Sequence, residues 1–202
     1  MARKPLDASV LQMDNDRVIE TICTRLRAIL SKDVGRRGFV CAMSGGIDSS
    51  VSSALCVKAL GKDRVYGLML PERDSSGFST ARGRQLAEHL GIKFEVFDIA
   101  PALEGIGCYQ WRDEAIRKVF PEYGDGWKNK IVIAGGAQGG VNFFKLVVQS
   151  PDGAVADRRL PIRQYLQIVA ATNYKQRVRK TIEYFHADRL NYAVIEIGRS
   201  HV

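Results

Sequence analysis

Two apolar periods alternate along the first half of the chain. Residues 14–31 place Val18, Ile19, Ile22, Leu26, Ile29 and Leu30 at helical spacing, which predicts an amphipathic helix. An unbroken apolar run, Phe39 to Met43 after Gly38, then predicts a strand over about 38–43. Helical spacing returns in Val51 to Leu60 and stops at Gly61, so a second helix is expected over about 49–60. Arg64 to Leu70 reads as a second strand, followed by the loop Pro71 to Ser76. A helix over about 78–90 closes at Gly91, and Lys93 to Ile99 reads as a third strand. Strands alternating with helices predict an α/β fold, a Rossmann-like parallel sheet with flanking helices and right-handed crossovers. In such sheets ligands lie at the carboxyl ends of the strands.

Residues 101–165 are less regular. Ala115 to Phe120 reads as the end of a helix. Phe143 to Gln149 and Ala154 to Leu160 flank Pro151-Asp152-Gly153, which predicts a β-hairpin. Gly135-Gly136-Ala137-Gln138-Gly139-Gly140 fits no phosphate fingerprint and reads as a mobile loop, a candidate lid. Helical patterning resumes over about 173–189, and Asn191 to Ile195 reads as a last strand. The expected organisation is one domain over 1–202 with 101–165 as an irregular insertion carrying the hairpin. No internal repeat or low-complexity segment is present.

Composition narrows the class. An apolar content of 46% and a charged content of 26% suit an ordinary globular protein. No apolar run is long enough to span a bilayer, and the N-terminus lacks the apolar core of a signal peptide. Cys23, Cys41, Cys56 and Cys108 are scattered without a Cys-x-x-Cys pair. They suit a reducing cytoplasm, as small apolar fillers rather than zinc ligands. The net charge of +8 allows a solvated basic surface, a nucleic-acid partner or a site for anionic nucleotides. The basic residues are spread along the chain with no basic tail or aromatic-rich RNA signature, so neither nucleic acid nor membrane is expected as a partner.

The chemistry concentrates in residues 44–50, Ser44-Gly45-Gly46-Ile47-Asp48-Ser49-Ser50. This heptad stands where the first strand turns into a helix. Unpaired N–H groups of a first helical turn point outward, and the helix dipole favours negative charge there. Gly45 and Gly46 leave the backbone open to a phosphate. A plainer reading is a Gly/Ser turn with Asp48 as helix N-cap, which accounts for neither both glycines nor the serine pair. A Walker A loop would need a Lys before its Ser/Thr, and a dinucleotide fingerprint would need Gly-x-Gly-x-x-Gly; both are missing.

Ser-Gly-Gly-x-Asp-Ser resembles the pyrophosphate-binding loop of the N-type ATP pyrophosphatases, of adenine nucleotide α-hydrolase-like fold. Two further stretches resemble NAD synthetases within that group. One is Leu68 to Ser76 with Leu86 to Ile92. The other is Asn173-Tyr174-Lys175-Gln176-Arg177-Val178-Arg179 with His186 to Tyr192. The resemblance implies a C–N ligase of NAD biosynthesis. ATP adenylates the nicotinate carboxylate of deamido-NAD and releases pyrophosphate; ammonia then displaces AMP. It also implies that Ala42, Met43, Ser44, Gly45, Gly46, Ile47, Asp48, Ser49 and Ser50 bind ATP, with Asp48 on Mg²⁺. Arg177 matches the arginine that contacts deamido-NAD, and Lys175 and Arg179 flank it as further candidates. His186 reads as a partly buried helix residue rather than a general base. A homodimer is the family expectation.

Two departures from the family pattern are expected to matter. No glutaminase domain precedes residue 14, so free ammonia or a partner's would serve. After Ile195 the family's Gly-Thr-x-Asn and its long C-terminal portion are not found, and the chain reads as incomplete there. Other readings are a tRNA-modifying ATP pyrophosphatase, a hydrolase using Ser44 with Asp157 or Asp188 and His201, or a non-catalytic ATP-binding remnant.

Overall fold

Residues 12–135 and 142–196 are described by a computed structural model of the chain. The chain divides into two compact units. The first comprises Met1–Asp98 with Thr181–Val202, and the second Ile99–Lys180.

Unit 1 is the α/β layer. Its strands are β1 (Phe39–Ala42), β2 (Val65–Met69), β3 (Lys93–Val96) and β7 (Ala193–Ile195). They form a sheet in the order β3-β2-β1-β7. Every pairing is parallel, with Phe39 opposite both Val65 and Ala193 and Gly67 opposite Phe94. Parallel neighbours need crossovers, supplied here by α2 (Ile47–Leu60) between β1 and β2 and α3 (Gly77–Leu90) between β2 and β3.

The helix ends follow local chemistry. Asp14 caps α1 (Asn15–Ala28) by accepting from the Arg17 amide, and Ser76 caps α3 by accepting from Ser79. Gly91 ends α3 in the left-handed region at φ 65°, where a side chain would be strained. A short π-helical turn, Ile29–Asp33, extends α1. The buried side of this helix differs from the apolar stripe read in the sequence. Cys23 and Leu30 are sealed in the core, whereas Val18 and Ile22 keep 38% and 37% of their surface exposed. The core joins Leu30, Phe39, Cys41, Met43, Cys56, Val65, Met69, Ala87 and Ile92. The hydrogen bond with the neighbouring Cys41 thiol, and then burial, push the Cys56 thiol far up, so it stays protonated and behaves as a small apolar filler.

Unit 2 is more regular than its sequence suggests. It holds α4 (Ala100–Gly105), α5 (Cys108–Arg117) and a three-stranded antiparallel sheet. β5 (Phe143–Gln149) and β6 (Val155–Arg159) pair around the Pro151–Gly153 turn. There the Ser150 hydroxyl donates to the Asp152 carboxylate, holding that carboxyl below the usual range. β4 (Lys128–Ala134) was not anticipated; it pairs with β5 over its whole length. Its sequence, Lys-Asn-Lys-Ile-Val-Ile-Ala, mixes charges with apolar residues, and its burial pattern shows no clean alternation. Leu146 and Val148 of β5 pack with Ile116, Phe120 and Ile168 to form the second core.

α6 runs from Ile162 to Leu190, 29 residues, and begins well before the expected residue 173. It stops where Asn191 takes the left-handed conformation at φ 55° and Tyr192 N–H returns to the Ala187 carbonyl. Its residues to Lys180 belong to unit 2 and those from Thr181 to unit 1. The glycine-rich stretch after Gly135 and the segment after Glu196, including His201, lie outside the described residues.

Candidate functional site

β1 delivers the chain to the carboxyl edge of the parallel sheet, and α2 begins five residues later. Between them lies the heptad. Met43 N–H still bonds to the Leu68 carbonyl at 2.7 Å, extending the β1–β2 ladder by one residue. The Met43 side chain is buried against the position of Gly67, where an added Cβ would come within 2.6 Å of Met43 Sδ. Met43 therefore serves the turn through its backbone alone, and Ala42 is half-buried beneath it.

The turn itself is built by Gly45. Its φ is +73°, and an added Cβ would lie 2.5 Å from the Ser79 carbonyl and 3.2 Å from Arg82 Cβ. Only glycine fits both the conformation and the approach of α3. Gly46 is different. It is the N-cap of α2 with ordinary extended geometry, φ −88° and ψ 163°, and a Cβ there would meet only Ser44 Oγ at 3.4 Å. Its bare Cα faces open space, which is what a closely approaching anion requires. Because Gly46 is the cap, Asp48 is not; Asp48 sits inside the first turn of α2 and is exposed.

The hydroxyls organise this turn. Ser44 Oγ and Ser49 Oγ are 3.2 Å apart, and the Gly46 amide points to Ser44 Oγ at 3.4 Å. Ser49 and Ser50 donate to the Gly46 carbonyl at 3.0 and 2.8 Å. With those protons spent on the backbone, the first-turn amides remain as donors for an anion. Ile47 is 76% exposed at the mouth of the turn.

A pocket of about 460 Å³ opens beside the heptad, lined by Gly45, Ile47, Ser50, Arg82, Gln85, Leu86 and His89. The α3 residues were not singled out from sequence. Arg82, Gln85 and His89 recur at helical spacing, so they share one face of α3. The sequence signal for them was that spacing; only the contact at Gly45 reveals which neighbour the face meets.

The remaining candidates lie on α6. Lys175, Arg177 and Arg179 belong to unit 2, whereas the heptad belongs to unit 1. Lys175 is 7% exposed, its Nζ 5.0 Å from the centre of the Tyr109 ring. Arg177 is exposed and Arg179 half-buried. His186, in unit 1, is buried at 4% exposure and stacks on Tyr66 at 5.6 Å. Arg189 Nε lies 3.1 Å from His186 Nδ1. Burial first, then the Arg189 charge, lowers the affinity of His186 for a proton, while Glu95 opposes both. That is a structural histidine bound into a Tyr66–Glu95–Arg189 cluster. Burial and the bond to Glu95 raise the Tyr66 phenol, whose hydroxyl donates to Glu95 at 3.0 Å.

A parallel sheet with a glycine turn and a helix N-terminus at the carboxyl end of its first strand defines an α/β domain of Rossmann-like build. The family model described as NAD synthase matches residues 18–119, and the chain belongs to the NAD synthase family. It is 52% identical over 186 residues to an NH₃-dependent NAD⁺ synthetase of Mesorhizobium japonicum, covering 92% of this chain and 58% of that protein. It is 50% identical over 194 residues to the protein of the same name from Rhizobium meliloti, covering 96% of this chain and 58% of that one. The chain thus spans less than two thirds of the length of these curated relatives. Among solved structures, an NH₃-dependent NAD synthetase from Campylobacter jejuni in complex with nitrate shares the fold, with a TM-score of 0.52 at 19% identity. That match covers 90% of this chain and 56% of the other. Among the described residues no helix is long and apolar enough to cross a membrane.

Proposed function

We propose that this chain carries the ATP-activating part of an ammonia-dependent NAD synthetase. The reaction is amidation of deamido-NAD by ammonia through an adenylated carboxylate, with release of AMP and pyrophosphate. The observation that carries this reading is the Gly45–Gly46 turn. One glycine is locked against α3, and the other leaves a bare Cα beside the first-turn amides of α2.

In this reading the backbone amides from Ala42 to Ser50 hold the phosphates of ATP, and the hydroxyls of Ser44, Ser49 and Ser50 turn from their partners within the turn to join them. Preorganised donors aimed at the departing pyrophosphate stabilise the charge that develops there. The protein's further task is to align the carboxylate with the α-phosphate. Arg177, with Lys175 and Arg179, belongs to the deamido-NAD side. The exposed Arg177 is the better placed of the three for a ligand from solvent, since Lys175 is turned into the protein against Tyr109.

The donor set fits Mg²⁺ held in company with phosphate. Among the described residues there is no group of three His, Cys, Asp or Glu side chains that could cage a metal. One exposed carboxylate, Asp48, stands in the phosphate turn. Mg²⁺ commonly takes one or two carboxylates and completes its shell with phosphate oxygens and water. Bound there, it would neutralise phosphate charge. A cytoplasmic homodimer completes the proposal.

The test is direct. A chimaera that completes this chain to the length of the Mesorhizobium relative should form NAD from deamido-NAD, ATP and ammonia. Synthesis should disappear on Gly46→Val. A folded chimaera that binds no ATP, or one in which Gly46→Val leaves synthesis unchanged, refutes the assignment.

A further inference from the structure

The phosphate turn has no lysine of its own. A pyrophosphate group carries several negative charges, and backbone amides alone supply only partial positive charge against them. A full cation within reach would strengthen the site. α3 brings one.

The close approach at Gly45 fixes where α3 runs. The position of the missing Gly45 side chain is 2.5 Å from the Ser79 carbonyl and 3.2 Å from Arg82 Cβ. Arg82 therefore starts at the wall of the turn, and its side chain lines the pocket that also contains Gly45 and Ser50. Gly83, next along α3, is equally constrained: a Cβ there would come within 3.0 Å of Met69 Cγ and Sδ and 3.1 Å of the Met43 carbonyl. Two glycines in adjacent elements hold this wall in place.

Among the described residues Arg82 makes no ion pair. Its guanidinium lies over the Phe78 ring, 4.1 Å from the ring centre. That contact orients the group without using its N–H donors, which lie in the guanidinium plane. Gln85 follows one turn later on the same pocket wall and adds an amide donor.

We propose that Arg82, oriented by Phe78 and accompanied by Gln85, binds the terminal phosphates of a nucleoside triphosphate and the pyrophosphate released from it. The proposal rests on the ATP-binding reading of the heptad and names the side-chain cation of that site. The pocket beside the turn is then where the two outer phosphates lie. A nucleoside monophosphate does not reach it.

Calorimetry on the full 202-residue chain tests this with inorganic pyrophosphate and AMP as separate probes. Arg82→Ala should weaken pyrophosphate binding by about tenfold or more, the scale of a lost hydrogen bond to a charged group. It should leave AMP binding unchanged. Arg82→Lys should recover part of the loss, because a lysine keeps the charge without the planar fork. The pyrophosphate affinity of Arg82→Ala should also depend less on salt. Equal pyrophosphate affinity in wild type and Arg82→Ala overturns the proposal. Gly46→Val separates the two readings: if it abolishes pyrophosphate binding while Arg82→Ala does not, the turn assignment stands and the role of Arg82 falls. A wild-type chain that binds no pyrophosphate removes both. Arg82 is exposed, so neither substitution disturbs the core.

Discussion

Adjacent glycines of one motif should respond to the same substitution to very different degrees. Gly45→Ala introduces a Cβ at φ +73° and 2.5 Å from the Ser79 carbonyl. A side chain in the left-handed region costs about 1–2 kcal/mol. Forcing backbone apart in a packed region costs about 1–3 kcal/mol more. The total is about 2–5 kcal/mol against unit 1. Gly46→Ala has no such conflict, since φ is −88° and the nearest atom is a serine hydroxyl at 3.4 Å. Its cost is the poorer capping of alanine, about 1 kcal/mol or less. Trp111 and Trp127 both lie in unit 2, so fluorescence would report the wrong part of the chain. Amide hydrogen exchange of β1 reads unit 1 directly. Exchange there should accelerate about 30- to 3000-fold in Gly45→Ala and by less than about tenfold in Gly46→Ala, at about 1.4 kcal/mol per factor of ten. Similar protection in the two variants would refute the claim that Gly45 is held by α3 and Gly46 is not.

Gly46→Val should keep β1 protection near that of wild type yet lose Mg-ATP binding in calorimetry; retained affinity would show that the phosphate does not approach Gly46. Asp48→Asn should weaken Mg-ATP by about 1–3 kcal/mol, the worth of a charge-assisted contact, and unchanged affinity would remove Asp48 from the metal. The pH dependence of stability should carry the mark of His186, which faces Tyr66, Glu95, Arg189 and Phe185. Its folded pKa lies below the ordinary value of about 6.5, so its contribution is complete above that pH and is lost as pH falls from there through the folded value. His186→Gln should flatten this part of a urea-stability profile, and an unaltered slope in the variant would show that another group titrates there.

The strand, turn and helix that frame the candidate site were legible because their signals are local. The apolar run into Ser44-Gly45-Gly46-Ile47-Asp48-Ser49-Ser50 specifies strand, turn and helix start within a dozen residues, and the structure places β1 at Phe39–Ala42 and α2 at Ile47–Leu60. Pro151-Asp152-Gly153 likewise announces the turn between β5 and β6. Capping residues and the stops at Gly61 and Gly91 act through their own backbone, so no distant partner was needed to read them.

What the tertiary structure alone decided depends on long-range packing. The sequence did not distinguish Gly45 from Gly46; their difference arises because α3, more than thirty positions along, touches only the first. Arg82, Gln85 and His89 form a periodic polar stripe that could equally face solvent, and only the structure sets that stripe along a pocket beside Gly45. β4 escaped notice because its seven pairings with β5 reach across the sequence to residues 143–149. Lys175, read as a further substrate-binding candidate beside Arg177, is buried against Tyr109, a neighbour brought by α5. In each case the chain's local chemistry set which element forms, and burial against a remote partner set which of its faces acts.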